Sequence, residues 1–166
     1  MKVPVVAFGP GSKRQFGHYL EGDSAVRPES IEDIVAWLLA CEYARDIDLF
    51  NERDVWQHPG DFERLRRGDC EDFALWAWRK LAEIGVEAEF YVGRVRSCDA
   101  APVDRHHAWV VYRLDGAEFL FEPAARSRQE MIRHLADARD DYVPHFAVNH
   151  RADTCAFGGY ILGRRR

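Results

Sequence analysis

One short stretch restricts what this chain can fold into more than any other feature: residues 68–74 have the sequence GDCEDFA. Gly68 suits a tight turn, and Asp69 is a residue type that caps helix N-termini. From Cys70 onward, apolar residues recur at helical spacing, at positions 73, 74, 77, 81 and 84. The stretch therefore predicts a turn that leads into a helix, with a cysteine in the first helical turn beside the buried face.

A cysteine at this place has two interpretations. The helix dipole and the unpaired N–H groups of a helix start lower the pKa of a thiol, which favours a nucleophilic thiolate at Cys70. The alternative is a small core residue, because free cysteine is among the most buried residue types. The other cysteines form no Cys-x-x-Cys pair, so the sequence predicts no structural zinc site. Among them, Cys41 is expected on the core face of a helix.

Two residues farther along the chain supply a base and an acid. His107 stands at the start of one predicted strand, and Glu122 ends the next strand before a proline. Asp115-Gly116 between these strands is a strong hairpin signal, and a tight turn there brings Glu122 back close to the level of His107. A cysteine, a histidine and an acid are the nucleophile, base and orienting group of thiol acyl transfer.

The order and spacing of these residues resemble the transglutaminase-like superfamily, especially its bacterial cysteine peptidases with a Gly-Asp-Cys-Glu-Asp-aromatic-Ala signature. The resemblance spans residues 56–123 and assigns catalysis to Cys70, His107 and Glu122. A helix followed by mostly antiparallel strands predicts an α+β fold, and the resemblance makes it a papain-like core with the cysteine-bearing helix packed on the sheet. The family usually has aspartate where this chain has Glu122, which is longer by one methylene.

The choice of base and acid leaves alternatives. His106 and His107 point to opposite faces of a strand, so only one of them can face Cys70. Both faces are apolar and periodicity does not choose, whereas the resemblance favours His107, which precedes a small residue and an apolar strand. Asp115 is the other candidate acid, but it belongs to the hairpin turn. Glu122 as a surface acid at a strand end is the bland alternative.

Residues upstream of the cysteine are candidates for lining the cleft. The resemblance places a tryptophan and a short helix there, which Trp56 matches, and Gln57 has an amide to offer to an oxyanion. A packing aromatic is the alternative for Trp56. Some relatives bind calcium through acids that flank the cysteine, and Asp69 and Glu71 occupy those positions. Helix capping explains both acids without an ion, so the sequence permits calcium but predicts no metal site and no required cofactor.

The predicted function is thiol-dependent acyl transfer on a peptide or protein substrate, by a cysteine peptidase or amidase. If an amine replaces water in the second step, the same residues make a transglutaminase. A catalytically silent module that binds a peptide in the cleft is an alternative of a different class.

Size and charge limit the other possibilities. The chain has 166 residues, which predicts a single domain over residues 1–166. Its net charge of −5 argues against a nucleic-acid partner. The first residues are too short and too soon broken for a secretory signal, and no apolar run approaches the ~20 residues of a membrane span. The sequence therefore predicts a cytoplasmic protein without a membrane partner and leaves its oligomeric state open.

Patterns elsewhere predict the remaining elements. They are an edge strand at 3–8, helices at 31–45, 61–65 and 127–138, and strands at 86–95, 107–113, 118–122 and 142–149. Ser30 and Gly85 are the expected cap residues at helix ends.

Overall fold

The computed structural model describes residues 2–96 and 105–158. Cys98 and the predicted loop over residues 97–104 lie outside the described residues. The helices are α1 (Gly17–Leu20), α2 (Ile31–Leu39), α3 (Asp46–Phe50), α4 (Pro59–Leu65), α5 (Cys70–Glu83), α6 (Arg128–Met131) and α7 (Leu135–Ala138). The strands are β1 (Glu42–Tyr43), β2 (Arg67–Gly68), β3 (Glu87–Val95), β4 (Arg105–Leu114), β5 (Ala117–Phe121), β6 (Ile132–His134), β7 (Tyr142–Asn149) and β8 (Thr154–Ala156).

Helix α5 is the predicted cysteine helix, and it begins at Cys70 as expected. Asp69 is its N-cap, and the Asp72 carboxylate accepts a hydrogen bond of 3.3 Å from the Asp69 backbone N–H, which satisfies a donor at the helix start. Gly85 follows the helix with a φ of +81°, a left-handed conformation that glycine adopts without strain. Residues 71–81 are all buried, so α5 is the central helix of the molecule.

A six-stranded sheet packs against this helix. Its strand order is β6-β5-β4-β3-β7-β8, and all five neighbouring pairs are antiparallel. A separate two-stranded parallel sheet joins β1 to β2 directly before α5. The fold is therefore α+β, with the cysteine-bearing helix on an antiparallel sheet, as the sequence predicts.

The β4–β5 hairpin sets the level of the candidate acid. Leu114 pairs with Ala117, and the two turn residues between them, Asp115 and Gly116, have φ values of 51° and 78°. Positive φ at both positions is the type I′ geometry that an Asp-Gly pair favours. Continuing the register past the last pair of the ladder places Glu122 opposite Trp109, two residues from the predicted level of His107.

Apolar residues cover both faces of the sheet, as predicted. The main core lies between α5 and the sheet and includes Trp76, Trp78, Phe90 and Val110, each fully buried. A smaller cluster on the opposite face contains Trp109, Val111, Leu120 and Ala138. Burying a side chain of this size contributes about 1.5–3 kcal/mol, so the sheet is held from both sides and the ends of its strands are fixed relative to α5.

Three predicted elements are wrong. Residues Val5–Phe8 form a 3-10 helix, not an edge strand, and Phe8 is buried in the main core. Helix α2 starts after its Ser30 cap but ends at Leu39, because the chain then pairs as β1 with β2. Cys41 consequently lies beyond the helix, half-buried against the core.

The third error concerns residues 127–138, predicted as one helix. Ser127 caps α6 through its side chain, but the helix stops at Met131 because Ile132 pairs with Phe121 at the sheet edge. Strand β8 was not predicted at all. Within residues 2–96 and 105–158, no helix combines the length and apolar character needed to cross a membrane.

Candidate active site

A cavity of about 300 Å³ lies where the start of α5 meets the start of β4. Its walls include Cys70, His106, His107 and Trp56. Helix α5 contributes Cys70 at its start, and strand β4 contributes the two histidines near its start. Both elements that the sequence predicted for the site therefore line one cavity.

His107 and Glu122 are in direct contact. The Nε2 atom of His107 lies 2.6 Å from Oε2 of Glu122, and the two side chains are 23% and 14% exposed. The hydroxyl of Tyr142 donates a hydrogen bond of 3.0 Å to the same carboxylate oxygen. Because Nε2 faces the acid, Nδ1 is the ring nitrogen that remains to serve a reacting group. Glu122 is thus part of a hydrogen-bonded pair and is not an isolated surface acid.

The Cys70 thiol has a different partner from the one expected. Its Sγ atom donates to Oε2 of Glu71 over 3.1 Å, rather than to His107. Burial raises the pKa of the Cys70 thiol well above its ordinary value, and the negative charges of Glu71 and Asp69 add to this, against a backbone N–H of Ala108 that lowers it. The pKa of Cys70 is thus shifted in the direction opposite to the predicted one, with burial as the first cause and the neighbouring acids as the second.

The two histidines differ in their surroundings. Ala108, on the face of His106, packs in the main core under α5, whereas Trp109, on the face of His107, belongs to the opposite cluster. The ring of His106 lies 5.6 Å from that of His145. By sheet face, His106 and not the predicted His107 is the histidine on the side of α5. Both imidazoles line the cavity, and the contact with Glu122 is what distinguishes His107.

Five carboxylates form overlapping groups at the start of α5, and we call them the acid cluster: Asp46, Asp54, Asp69, Glu71 and Asp72. Oxygen atoms of Asp46, Asp54 and Glu71 lie within 4.8 Å of one another, and so do those of Asp46, Asp69 and Asp72. Hard cations such as Ca²⁺ are bound by sets of oxygen ligands of this kind.

The surroundings of the acid cluster, within the described part of the chain, disfavour the charged form of its carboxylates. Burial raises the pKa of Asp46 to about 6 and the pKa of Glu71 and Asp72 well above the ordinary range, and the neighbouring acids contribute in the same direction. Among the described residues, Oδ1 of Asp46 and Oδ1 of Asp69 are buried without a hydrogen-bond partner. Buried oxygens of this kind fit a bound cation, since leaving them unpaired is costly.

Most of this cluster was missed from the sequence. The sequence indicates Asp69 and Glu71 as possible ligands, whereas Asp46 and Asp54 are remote from them in sequence. Asp46 opens α3 and accepts the backbone N–H of Val55 at 2.5 Å. No local spacing signals a site whose ligands come from separate segments.

Gln57 does not line the cavity. Its side-chain amide donates to the Arg67 carbonyl oxygen at 2.9 Å and to Oδ2 of Asp72 at 2.7 Å, and its backbone N–H donates to Oδ1 of Asp72. Both amide hydrogens are engaged, so the expected role as an oxyanion donor is corrected: Gln57 holds Asp72 in place. Trp56 does line the cavity, and its indole N–H donates to Asp54 at 3.0 Å.

Comparison with known proteins finds solved structures with a fold similar to that of this chain. No family model and no curated protein matches the chain. Among solved structures, LapG of Legionella pneumophila matches in an EGTA-treated form (TM-score 0.53, 20% identity, 89% of this chain and 83% of that chain). A calcium-bound form of the same protein matches with a TM-score of 0.52 and 18% identity over 95% of this chain and 92% of that chain. The chain has a LapG-like fold. At these identities the likeness describes the fold and not the chemistry.

Proposed function

We propose that this protein is a thiol-dependent peptidase or amidase in which Cys70 is the nucleophile, His107 the base and Glu122 the group that orients the base. The observation that carries the proposal is the contact of 2.6 Å between His107 and Glu122, made by a histidine in the wall of the cavity that Cys70 also lines. The packing of this chain supports it, because helix α5, which begins at Cys70, packs against strand β4, which contains His107.

The proposed chemistry requires the Cys70 thiol to turn from Glu71 toward Nδ1 of His107, the ring nitrogen that Glu122 does not contact. With Nε2 held by Glu122, Nδ1 of His107 accepts the proton of Cys70, and the thiolate forms a C–S bond to the substrate carbonyl carbon. The His107 imidazolium then gives this proton to the leaving amine as the C–N bond breaks, and a thioester remains on Cys70. Water adds to the thioester with His107 as base, which releases the acid and restores the thiol.

The helix start supplies a place for the developing negative charge. The backbone N–H of Cys70 belongs to the first turn of α5, where N–H groups have no partner within the helix. A donor aimed at an oxyanion contributes about 3 kcal/mol to the rate. Gln57 is not the second donor, since its amide is engaged elsewhere.

We propose that the substrate is a peptide or protein segment. The cavity is open and has aromatic walls from Trp56, Tyr43 and Phe8 beside the cysteine. Aromatic side chains of this kind contact both apolar side chains and peptide groups.

We also propose that the acid cluster binds calcium, with Asp46, Asp54, Asp69 and Glu71 as the ligands. The support is that oxygens of Asp46, Asp54 and Glu71 lie within 4.8 Å of one another, and that Asp69 comes equally close to Asp46 and to Glu71. The buried, unpartnered oxygens of Asp46 and Asp69 add to it. A bound cation would supply positive charge next to the thiol, which lies within 4.8 Å of carboxylate oxygens of Asp69 and Glu71. The calcium-bound and EGTA-treated forms of the LapG structure concern that protein, and make calcium the first ion to test here.

Labelling of the cysteines by iodoacetamide between pH 5 and 9, with calcium and with EGTA, tests the proposal. In calcium, Cys70 should be alkylated at pH 6, well below the roughly 8.5 of a free thiol. Its labelling should slow on the order of 100-fold in His107→Ala. Cys155, which is exposed, is the internal control. Burial and the charge of Glu89 raise the pKa of its thiol, so it should label only at alkaline pH, and alike in every variant.

Two results would contradict the enzyme proposal. If Cys70 and Cys155 share one pH profile in calcium, Cys70 is not activated, and a silent peptide-binding module becomes the better interpretation. If His107→Ala leaves the Cys70 profile unchanged, the histidine does not act on the thiol. A thioester trapped from a peptide substrate, then resolved by water or by added amine, separates hydrolysis from amine transfer.

A further inference from the structure

We infer that Tyr142 is a positioning residue for the proposed reaction: it holds the Glu122 carboxylate on His107. This inference rests on the proposed function and names a component of the site that lies in another strand, β7. Tyr142 does not line the cavity that contains Cys70, so it acts through Glu122.

The hydrogen-bond geometry carries the inference. Tyr142 donates to Oε2 of Glu122 at 3.0 Å, and this is the oxygen that lies 2.6 Å from Nε2 of His107. On the other side, Nη2 of Arg133 donates to the Tyr142 hydroxyl oxygen at 3.5 Å. A hydroxyl has one hydrogen, and a donor on its oxygen leaves that hydrogen directed at Glu122.

Glu122 needs such a restraint. Its side chain has one more rotatable bond than aspartate, and it lines a second cavity together with Arg126 and Arg133. Either guanidinium is a strong competing partner for a carboxylate, and an acid that turned toward them would leave the imidazole. The Tyr142 hydroxyl fixes the carboxylate in the position where one oxygen serves His107.

The ring of Tyr142 is itself held in place. It packs edge-on against Trp109 with centroids 5.1 Å apart, and Trp109 stacks toward His107 at 6.3 Å. Burial, followed by the charge of Glu122, raises the pKa of Tyr142, so the hydroxyl keeps its hydrogen over the working pH range. Two strands, β4 and β3, separate β7 from β5 in the sheet, so this contact crosses the sheet face.

The test is the pH profile of Cys70 alkylation in calcium for Tyr142→Phe. Removing one hydrogen bond to a carboxylate should slow labelling at pH 6 roughly threefold to tenfold and move the midpoint to higher pH, because the imidazolium loses part of its oriented partner. Glu122→Gln should have the same direction and a larger effect. In the double variant, Tyr142→Phe should add nothing to Glu122→Gln, since its whole effect passes through the carboxylate.

Tyr91→Phe is the matched control. Tyr91 also donates to a glutamate, with its hydroxyl 2.7 Å from Oε2 of Glu89, and it stacks on Trp109 at 5.8 Å. It lies on the same face of the sheet without touching Glu122 or His107, so its removal should leave the Cys70 profile unchanged. A loss of packing alone would affect Tyr91→Phe and Tyr142→Phe alike.

The possible outcomes separate this inference from the proposed function. If His107→Ala and Glu122→Gln slow labelling but Tyr142→Phe does not, the inference is overturned and the proposed function stands. An additive effect of Tyr142→Phe in the Glu122→Gln background also overturns it, because the tyrosine then acts by another route. If His107→Ala has no effect, the proposed function fails first.

Discussion

At the scale of single residues, the longer acid is the chain's main departure from the family it resembles. The contact of 2.6 Å between Glu122 and His107 is made with the full length of a glutamate. Shortening the side chain by one methylene withdraws the carboxylate by about 1.5 Å. Its distance to Nε2 of His107 then exceeds that of a hydrogen bond.

Glu122→Asp should therefore behave like Glu122→Gln, although it restores the residue usual in the family. We expect both variants to slow Cys70 alkylation at pH 6 to a similar extent while the melting temperature changes little, because the residue lies at a strand end. Glu118→Asp is the control, because it shortens an acid of β5 that pairs with Arg113 and not with His107. Full labelling rates in Glu122→Asp would mean that the backbone approaches His107 closely enough for the shorter acid.

Gln57 is a second case in which the structure gives a residue a role other than the predicted one. Its amide bridges the Arg67 carbonyl and Asp72, and all of these groups are near the buried start of α5. Gln57→Ala removes a donor from a buried carboxylate, so we expect the free energy of unfolding to fall by about 1–3 kcal/mol. Urea denaturation measures this, with exposed Gln15→Ala as the control. Unchanged stability would argue against the bridging role.

At the scale of elements, the β4–β5 hairpin connects sequence to site most directly. Gly116 has a φ of +78°, and a Cβ there would meet no atom within 4 Å. Gly116→Ala should thus cost only the backbone strain of the left-handed conformation, about 1 kcal/mol. Gly17→Ala is the matched control: it also meets nothing within 4 Å but lies in helix α1 without a positive φ. Its stability in urea should be unchanged or higher, and equal losses in the two variants would contradict this explanation.

Elements with a complete local signal could be predicted from the sequence. Helix α5 has a cap, an apolar face and a terminal glycine, and the hairpin has an Asp-Gly turn between two apolar runs, so both were correct. Residues 127–138 carry a helix cap at Ser127 but lie next to an open sheet edge, where Ile132 pairs with Phe121. There a tertiary contact overrides local propensity, and the sequence alone could not show it.

The same distinction explains the site. His107 and Glu122 belong to one hairpin, so their contact follows from a local turn and could be predicted. Tyr142 reaches Glu122 from β7, and Asp46 joins the acid cluster from α3. Both depend on how distant segments pack, and neither has a neighbouring residue pattern that indicates its role.

At the scale of the whole molecule, the acid cluster couples folding to pH, and the proposed calcium site would couple it to a cation. Burial raises the folded-state pKa of Asp46 to about 6, above the roughly 3.9 of an unfolded aspartate. Between these values the folded state binds more protons than the unfolded state, so the stability that this group contributes is present at low pH and is lost as pH rises through 6. The raised pKa values of Glu71 and Asp72 extend the loss to higher pH.

Two other groups with shifted pKa values, Glu63 and His18, also contribute to the pH dependence of stability. Burial alone would raise the pKa of Glu63, but hydrogen bonds, led by the one from the Ser24 hydroxyl, lower this pKa to about 2. The stability that Glu63 contributes is therefore fully present above about pH 5 and constant at higher pH. Burial lowers the pKa of His18. The stability that His18 contributes therefore decreases as pH falls below about 6.5. Comparing variants that retain both groups cancels these terms.

Urea denaturation of the wild type and of Asp46→Asn at pH 5, 6 and 7, in EGTA and in calcium, therefore tests the cation proposal. In EGTA, Asp46→Asn should gain stability relative to the wild type as pH rises from 5 to 7, because it lacks one of the buried charges. Calcium should stabilise the wild type at pH 7 by about 2.7 kcal/mol when present at 100 times its dissociation constant, and should stabilise Asp46→Asn much less. Asp48→Asn, which changes an exposed carboxylate of the same helix α3, is the control and should respond like the wild type. An equal calcium response in Asp46→Asn and the wild type would show that the ion, if it binds, does not use this cluster.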